Sequence, residues 1–493
     1  MNINLDKKYK LFINGEWKDS SDKATIKTYN PANGELLAEI ADASKKDVDD
    51  AVNAGRKAFL TWSKSSPAER AQILNKIADI IDENKEYLAT VETMDNGKPI
   101  RETLGADIPL AADHFRYFAG VVRSDEGNAS MLDENTLNII LREPVGVVGQ
   151  IVPWNFPFLM AAWKLAPALA AGDVSVFKPS STTSLSVLEL VKLIQNVVPK
   201  GVINLITGKG SKSGEYLQNN KGIDKLAFTG STAVGRQIGL SAAERIIPAT
   251  LELGGKSANI FFSDANMKLA LEGVQLGILF NQGQVCAAGS RIFVQEDFYD
   301  EFMEKAIAAF KKVKVGNPLD PDTQMGAQVS EAQLKKILKY IKIGEEEGAK
   351  VAVGGERFVE GDAKNGYFMK PTLLTEVTND MRVARDEIFG PVGVVIKFKT
   401  EKEVIDLAND SNYGLAGGVF TTNLNRAIRV ARGIRTGRVW VNTYNTFPAG
   451  APFGGYKESG IGRETHKVIL EAYTQKKNII VNLSETPGGM YVK

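Results

Sequence analysis

Cysteine and histidine are the scarcest reactive residues of this 493-residue sequence, which has one cysteine, Cys286, and two histidines, His114 and His466. A single cysteine excludes disulfide bonds within the chain. Cys and His residues at the spacing of metal ligands are absent as well, so neither a zinc site nor an iron–sulfur cluster is predicted. Both histidines are far from the cysteine in sequence. If Cys286 is a nucleophile, a group other than histidine is expected to move the proton.

An excess of charge of either sign is also missing, since 60 Lys and Arg residues are balanced by 59 Asp and Glu residues. A basic surface of the kind that binds nucleic acid is therefore not expected. The most apolar stretch, residues 145–177, contains Lys164, Asp173 and several prolines, so it predicts buried core and no membrane span. Residues 1–10 are charged and no apolar segment follows them, so a secretory signal is not predicted and the cytoplasm is the expected compartment.

The chain is too long for one hydrophobic core, because single cores stop growing near about 250 to 300 residues. Between residues 145 and 253, short β-rich runs alternate with helical segments. This alternation predicts parallel strands with crossover helices, an α/β architecture that binds nucleotides at the carboxyl ends of its strands. A second α/β region is predicted from residue 257 to about residue 441.

Turn and capping residues predict several boundaries between elements. Asn14 and Gly15 form a hairpin turn, Ser44 and Ser66 begin helices, and Asn96 with Gly97 marks a break. The strand-like segment 136–143 follows a polar stretch and has no evident partner nearby. It is either an arm that pairs outside its own domain or an ordinary surface hairpin.

Two glycine patterns compete for a phosphate-binding role. Gly208, Gly210 and Gly214 approach the dinucleotide fingerprint, but their last spacing is one residue too long. Gly230 and Gly235 follow the strand-like KLAFT and open a helix, whose free N–H groups could meet a pyrophosphate. An ordinary strand-to-helix turn explains the second pattern equally well.

Four further residues are candidates for chemistry, each with a structural alternative. Cys286 lies among glycines and polar residues, although a free cysteine is often a small core residue. Glu252 in LELGGKS has apolar neighbours that raise a carboxyl pKa, which suits a general base or else a buried ion pair. Asn155 is an amide in an apolar setting, as in an oxyanion hole. Lys178 ends a strand, where it either binds a ligand or is solvated.

Eight segments, spread over essentially the whole chain, resemble the aldehyde dehydrogenase superfamily. They are PWNFP at 153–157, FKPS at 177–180, PKGVINLITG at 199–208, FTGSTAVG at 228–235, LELGGKS at 251–257, FNQGQVCAAGSR at 280–291, EIFGPV at 387–392 and APFGGYKESGIGRE at 451–464.

The resemblance implies the aldehyde dehydrogenase fold, with a Rossmann-like cofactor domain, a second α/β catalytic domain and a small β oligomerisation arm. A homodimer or homotetramer is implied too. The boundaries it implies are 1–122 and 144–254 for the cofactor-binding domain, 255–455 for the catalytic domain, and 123–143 with 470–493 for the oligomerisation or bridging elements.

By the same resemblance, Cys286 attacks the aldehyde carbon, and the Asn155 amide and the Cys286 N–H hold the oxyanion. Hydride transfer to NAD or NADP leaves a thioester, which water hydrolyses with Glu252 as general base. The thiolate is expected to form with help from local electrostatics and from Glu252 or water. Branches that pass the acyl group to coenzyme A typically lack this glutamate, so a free acid is expected. The alternatives are a coenzyme A-acylating semialdehyde dehydrogenase and a catalytically idle structural relative.

Cofactor-binding residues are also implied by the resemblance. Lys178 and Glu387 match positions that bind ribose hydroxyls, and Ser181 stands where strongly NAD-preferring members often have glutamate, so the choice between NAD and NADP stays open. The remaining cofactor positions are Trp154, Gly230, Ser231 and Gly235.

An apolar substrate tunnel is the last implication, and it favours small aliphatic or aromatic aldehydes over highly charged ones. No metal is expected. Val285 and Ala287 flank the sulfur with small side chains, and the other tunnel positions are Phe156, Met160, Trp163, Phe280, Phe447 and Phe453.

Overall fold

The structure is a computed structural model that describes residue 3 and residues 5–491. The two final positions of the predicted element 470–493, and residues 1, 2 and 4 of the N-terminal segment, lie outside the described residues. Two large sheets organise the rest of the chain.

The first sheet has eight strands, and its five central strands run parallel. In sheet order the strands are Gly460–Ile461, Ala249–Glu252, Lys225–Thr229, Val147–Ile151, Val174–Lys178, Ile203–Leu205, Leu11–Ile13 and Glu16–Lys18.

The order of these strands locates a ligand site. Val147–Ile151 is the first parallel strand in sequence and lies between Val174–Lys178 and Lys225–Thr229. The chain therefore continues to one side of it and later returns to the other, which makes a topological switch point. Asn155 and Gly230 follow the two strands at this point, where a doubly wound sheet opens a crevice for a nucleotide.

The second sheet has seven strands, all parallel to their neighbours except the antiparallel edge strand Lys350–Val353. In sheet order the strands are Lys350–Val353, Thr372–Thr375, Val392–Phe398, Arg291–Gln295, Ala258–Phe261, Ala416–Phe420 and Arg438–Val441.

A small antiparallel sheet resolves the two interpretations of segment 136–143. Thr136–Pro144 forms a hairpin with Asn128–Asp133, and along its other edge it pairs with Thr474–Asn482 near the C-terminus. The segment is thus both a hairpin and a strand with a partner distant in sequence. The remaining strands are Lys8–Tyr9, Thr25–Tyr29 and Leu36–Ala41 in one sheet and Tyr413–Gly414 with Tyr456–Lys457 in another.

The helices begin where the capping residues predict. Ser44 and Ser66 each form a capping box, and Gly97 ends a helix in the left-handed conformation with φ 88°. The α-helices are Lys45–Trp62, Pro67–Glu83, Lys85–Asn96, Ile100–Glu102, Ile108–Ser124, Pro157–Ala171, Leu185–Ile194, Glu215–Gln218, Thr232–Arg245, Met267–Leu279, Glu296–Lys311, Glu331–Glu346, Arg382–Arg385, Glu401–Asn409, Leu424–Gly433 and Leu470–Tyr473. Short π segments are Thr103–Asp107 and Gly210–Gly214, and 3₁₀ segments are Phe280–Gly283, Gly361–Asn365 and Lys467–Ile469.

The apolar stretch 145–177 lies inside the protein. Every residue of Pro157–Ala171 is buried, including Lys164, which pairs with Glu464. Asp173 accepts a hydrogen bond of 2.9 Å from the Gly146 N–H. Among residues 3 and 5–491, no helix combines the length and the apolar character needed to cross a membrane.

Candidate active site

A cavity of about 230 Å³ is lined by residues from both sheet regions. Asn155 and Glu252 reach it from the first sheet, and Cys286 and Glu387 reach it from the second region. Four separate segments of the sequence therefore converge on one cavity.

Hydrogen bonds orient Asn155 towards the segment that carries the cysteine. Its backbone carbonyl accepts a bond of 2.7 Å from Asn281 Nδ2, and its own Nδ2 donates a bond of 2.8 Å to the Gln284 carbonyl. An amide nitrogen carries two hydrogens. One hydrogen of Asn155 thus remains for a ligand oxygen in the cavity.

Cys286 is half-buried, and its surroundings oppose ionisation. Burial raises the pKa of the Cys286 thiol well above its usual range, and the nearby Glu252 and Glu387 raise this pKa further. The two carboxylates oppose the thiolate because they penalise another negative charge at low dielectric, whereas backbone hydrogen bonds of Ala287 and Cys286 lower the pKa of the thiol and favour it. That local electrostatics help to form the thiolate stays a prediction. A base must take the thiol proton.

Glu252 is placed to be that base. It ends the strand Ala249–Glu252 with 3% of its surface exposed, and Oε1 has no hydrogen-bond partner among the described residues. Burial raises the pKa of Glu252 well above its usual range, and Glu464 adds to the effect. Lys164 and the Cys286 thiol act on this pKa in the opposite direction. The nucleophile and the base thus line the same cavity, where the base can reach the thiol directly or through one water, as general-base catalysis requires.

Lys164 and Glu464 are neighbours of Glu252 that the sequence did not reveal. Their side chains form a buried ion pair, and both charges influence the pKa of Glu252. Lys164 was predicted only as core, and Glu464 lies in a family-like segment without an assigned role. A lysine within a fully apolar helix is the signal that could have indicated a buried partner. Lys164 and Glu464 do not line the cavity itself. The unpredicted residues that do are Ala106, Asp107, Leu110, Pro153, Leu159, Thr229, Leu253, Gly254, Gln333, Lys336, Phe389 and Asn445.

The predicted cofactor residues divide into two groups. Trp154, Gly230, Ser231 and Glu387 line the cavity, whereas Lys178, Ser181 and Gly235 lie outside its lining. Ser231 caps the helix Thr232–Arg245 by accepting from the Val234 N–H.

Glycine is required at both ends of this turn for close packing. A Cβ at Gly235 would lie 2.3 Å from the Leu253 side chain, and a Cβ at Gly230 would lie 2.5 Å from the Phe228 ring. The segment GSTAVG therefore brings a helix N-terminus close to the sheet, which suits an anion. The competing glycine pattern instead forms the π segment Gly210–Gly214 beside Lys178, where a Cβ at Gly214 would lie 3.6 Å from Lys178 Cε.

Polar groups in the lining, together with Lys178 just outside it, are suited to the ribose and pyrophosphate of a dinucleotide. Lys178 is 2% exposed, its Nζ donates to the Pro179 carbonyl at 3.1 Å, and burial lowers its pKa to about 8. Thr229 Oγ1 is buried without a hydrogen-bond partner among the described residues. Glu387 Oε1 accepts from the Gly255 N–H at 3.0 Å. Buried polar groups that lack partners inside the protein are expected to find them in a ligand.

The opposite end of the cavity is aromatic. Trp163 packs against Phe453 with ring centroids 5.4 Å apart, and Phe156 against Phe280 at 5.8 Å. Ala287 is not among the residues that line the cavity; it is fully buried, and its carbonyl accepts a bond of 2.9 Å from the Tyr444 hydroxyl. The predicted tunnel residues that do line the cavity are Phe156, Met160, Trp163, Phe280, Val285, Phe447 and Phe453.

A metal centre has no counterpart in this geometry. Within the part of the chain that the structure describes, no group of three or more His, Cys, Asp and Glu side chains could hold a metal ion.

Comparison with known proteins decides the family. The model of the aldehyde dehydrogenase family matches residues 17–479. The chain belongs to the aldehyde dehydrogenase family. Aldehyde dehydrogenase B of Escherichia coli (strain K12) is 52% identical over 496 residues, which cover 99% of this chain and 96% of that protein.

Solved structures agree with this assignment. An NAD+ complex of aldehyde dehydrogenase from Bacillus cereus is 45% identical with a TM-score of 0.95, and the match covers 97% of this chain and 98% of that one. A betaine aldehyde dehydrogenase from Staphylococcus aureus in complex with NAD+ is 42% identical with a TM-score of 0.96, over 98% and 97% of the two chains.

The predicted family, the α/β fold and the enzyme class are confirmed. This aldehyde dehydrogenase uses a cysteine to oxidise an aldehyde, and the hydride passes from the substrate to NAD or NADP. The roles of individual residues and the domain boundaries remain predictions.

Proposed function

We propose that this aldehyde dehydrogenase releases a free carboxylic acid, with Cys286 as nucleophile, Glu252 as general base and Asn155 as oxyanion donor. The observation that carries the proposal is that Cys286, the buried Glu252 carboxyl and Asn155 line one cavity. The test is reduction of NAD or NADP that depends on added aldehyde.

The residues account for each step of the reaction. Glu252, directly or through water, takes the thiol proton as the sulfur attacks the carbonyl carbon, which gives a thiohemiacetal on Cys286. Asn155 Nδ2 and the Cys286 N–H donate to its oxyanion, and each such donor contributes about 3 kcal/mol to lowering the barrier. Bound NAD or NADP supplies the hydride acceptor. Glu252 releases the thiol proton to solvent and then removes a proton from water, which attacks the resulting thioester; the acid leaves, and this second proton returns to the sulfur to restore the thiol.

A coenzyme A-acylating enzyme is the main alternative, and Glu252 argues against it because water needs a base and coenzyme A does not. Addition of coenzyme A to the assay is expected to leave turnover unchanged. The presence of Asn155, Glu252, Cys286, Lys178 and Glu387 argues equally against an idle relative. The aromatic end of the cavity supports small aliphatic or aromatic aldehydes as substrates, which a panel ranked by kcat/KM would test.

Because residue 181 is a serine, this position has no carboxylate that would repel the 2′-phosphate of NADP. The Ser181→Glu variant is therefore expected to shift the ratio of kcat/KM for the two cofactors towards NAD by about tenfold or more, since 1.4 kcal/mol of repulsion is a factor of ten. Steady-state kinetics with both cofactors measure this ratio. Ser181→Gln adds a similar side chain without charge and should shift it far less. An unchanged ratio in Ser181→Glu would refute the role of this position.

Homo-oligomerisation through the small antiparallel sheet is also part of the proposal. Thr474–Asn482 is an edge strand, and an unpaired edge invites pairing with another chain. Leu132 and Ile480 on this sheet are 61% and 54% exposed. The cytoplasm is the proposed compartment, because it keeps a catalytic thiol reduced.

An acidic residue on this sheet is expected to break the oligomer. In Ile480→Glu, light scattering should detect a smaller particle than the wild-type dimer or tetramer, because burial of an unpaired carboxylate at an interface is costly. Lys476→Glu, on the same exposed strand, provides a control for charge alone. A wild-type mass in Ile480→Glu would show that this sheet is not the interface.

A further inference from the structure

Three consecutive residues of the nucleophile loop, residues 280–290, have left-handed backbone conformations. Their φ angles are 46° at Asn281, 55° at Gln282 and 72° at Gly283. Residues other than glycine rarely adopt this region, and it costs free energy to keep them there. The surrounding structure must therefore hold Asn281 and Gln282, which precede the nucleophile Cys286 by a few residues.

Neutral hydrogen bonds hold part of the loop. Gln282 Nε2 donates to the Ala327 carbonyl at 2.8 Å, and Val329 N–H donates to Gln284 Oε1 at 3.0 Å. Both bonds link the loop to residues 327–329. Neither bond involves the backbone N–H of Asn281, the first strained residue, which therefore needs another acceptor.

Glu102 is that partner. Its Oε2 accepts a hydrogen bond of 2.9 Å from the Asn281 N–H, although the two residues are 179 positions apart in sequence. Glu102 ends the helix Ile100–Glu102 and is followed by the π segment Thr103–Asp107. A π segment often marks a functional position, because its extra residue redirects the side chains around it.

A buried ion pair fixes the segment that presents Glu102. Lys98 Nζ lies 2.5 Å from Asp107 Oδ2, and both side chains are fully buried. The same ammonium lies 4.0 Å from the centroid of the Phe156 ring, next to Asn155 in sequence. Residues 98–107 therefore contact both Phe156 and the strained part of the nucleophile loop, and the ion pair holds them rigid.

We propose that Glu102 is a positioning residue that keeps the nucleophile loop in its left-handed conformation and so holds Cys286 beside Asn155 and Glu252. This inference rests on the proposed role of Cys286. Without the acceptor, the Asn281 N–H loses its partner and the loop relaxes. Turnover then falls because the sulfur is misplaced, while the cofactor site on the first sheet keeps its affinity.

Three variants separate this role from general destabilisation. Gln matches Glu102 in shape and keeps its acceptor oxygen, and burial raises the pKa of Glu102 to about 8, which favours the neutral carboxyl that Gln resembles in charge. Glu102→Gln keeps an acceptor oxygen and should behave as wild type, whereas Glu102→Ala removes it. Glu102→Asp draws the carboxyl oxygen back by one methylene and should show the same effects as Glu102→Ala. It replaces the alanine variant in the experiment if that variant does not fold. Glu272→Ala is the matched control, because Glu272 is exposed and lines the same outer cavity as Glu102.

The experiment is alkylation by iodoacetamide as a function of pH, without cofactor, on folded protein. Cys286 is the only cysteine in the sequence, so labelling reports one site. In Glu102→Ala the alkylation midpoint should fall by about one pH unit, because a loosened loop exposes the thiol to water. Its kcat should fall about tenfold, the effect of losing one hydrogen bond to a buried group, while the Kd for NAD or NADP stays within twofold of wild type.

A wild-type alkylation profile in Glu102→Ala would overturn the proposal, as would a shifted profile in Glu102→Gln or Glu272→Ala. A shifted profile in Glu102→Ala together with unchanged aldehyde turnover would confirm the positioning of the loop. It would at the same time refute Cys286 as nucleophile, so the two failures can be told apart.

Discussion

Replacement of Cys286 by alanine is expected to abolish aldehyde-dependent reduction of NAD and NADP. The sulfur forms the covalent bond to the substrate, and removal of a nucleophile costs about 10⁴-fold or more in kcat. The measurement is steady-state turnover over a panel of aldehydes. Because the cofactor end of the cavity is built from other segments, the variant should still bind NAD or NADP.

Two observations would contradict this role. One is turnover in Cys286→Ala within tenfold of wild type. The other is full turnover of wild-type protein after its single thiol has been alkylated to completion, which the chain allows because it has no second cysteine.

Glu252→Gln is expected to separate the two halves of the reaction. The variant should release one equivalent of reduced cofactor in a burst. Its steady turnover should then be about 10²- to 10⁴-fold slower than that of wild type, because water must attack the thioester without a general base. Glu252 also raises the pKa of Cys286. Replacement of Glu252 by neutral Gln therefore makes the Cys286 thiol easier to ionise. This effect offsets the loss of the base in the first half of the reaction, which forms the thioester. Rapid mixing measures the burst, and a full steady rate would remove Glu252 from the mechanism.

The pH dependence of kcat provides a second signature of Glu252. Only the ionised carboxylate accepts a proton, so kcat rises with pH through the pKa of Glu252. Burial and Glu464 raise this pKa, which places the rise at higher pH than the ordinary value of about 4.3 for glutamate. In Glu252→Gln this rise should disappear. A rise that persists unchanged would belong to another group.

Much of the fold could be predicted because its causes are local. Asn14 and Gly15 adopt φ angles of 55° and 78° in the predicted hairpin, since a two-residue turn needs residues that tolerate positive φ. Ser44 and Ser66 cap helices because their side chains reach N–H groups three residues ahead. The alternation of strands and helices likewise predicts parallel sheets, because consecutive parallel strands need a crossover.

Part of the site was also readable from the sequence. The apolar neighbours of Glu252 predict a raised pKa, and the structure gives the same direction. Cys286 and Asn155 are identified by resemblance to a family whose motifs occur in order along the chain. In each case the neighbouring residues in the sequence are enough to predict the role of the residue.

By itself, the sequence determined the family, the parallel α/β sheets and several of the residues that meet in the cavity, among them Cys286, Glu252 and Asn155. Only the tertiary structure decided that Ala287 lies outside the cavity lining, that Lys164 and Glu464 adjoin Glu252, and that Glu102 accepts a hydrogen bond from the nucleophile loop. It also decided that carboxylates around Cys286 oppose its ionisation. The reason is physical: burial and Coulomb interaction depend on distances through space. These groups come from separate segments, with Lys164 and Glu464 300 positions apart and Glu102 and Asn281 179 apart, and no local pattern specifies how such segments pack.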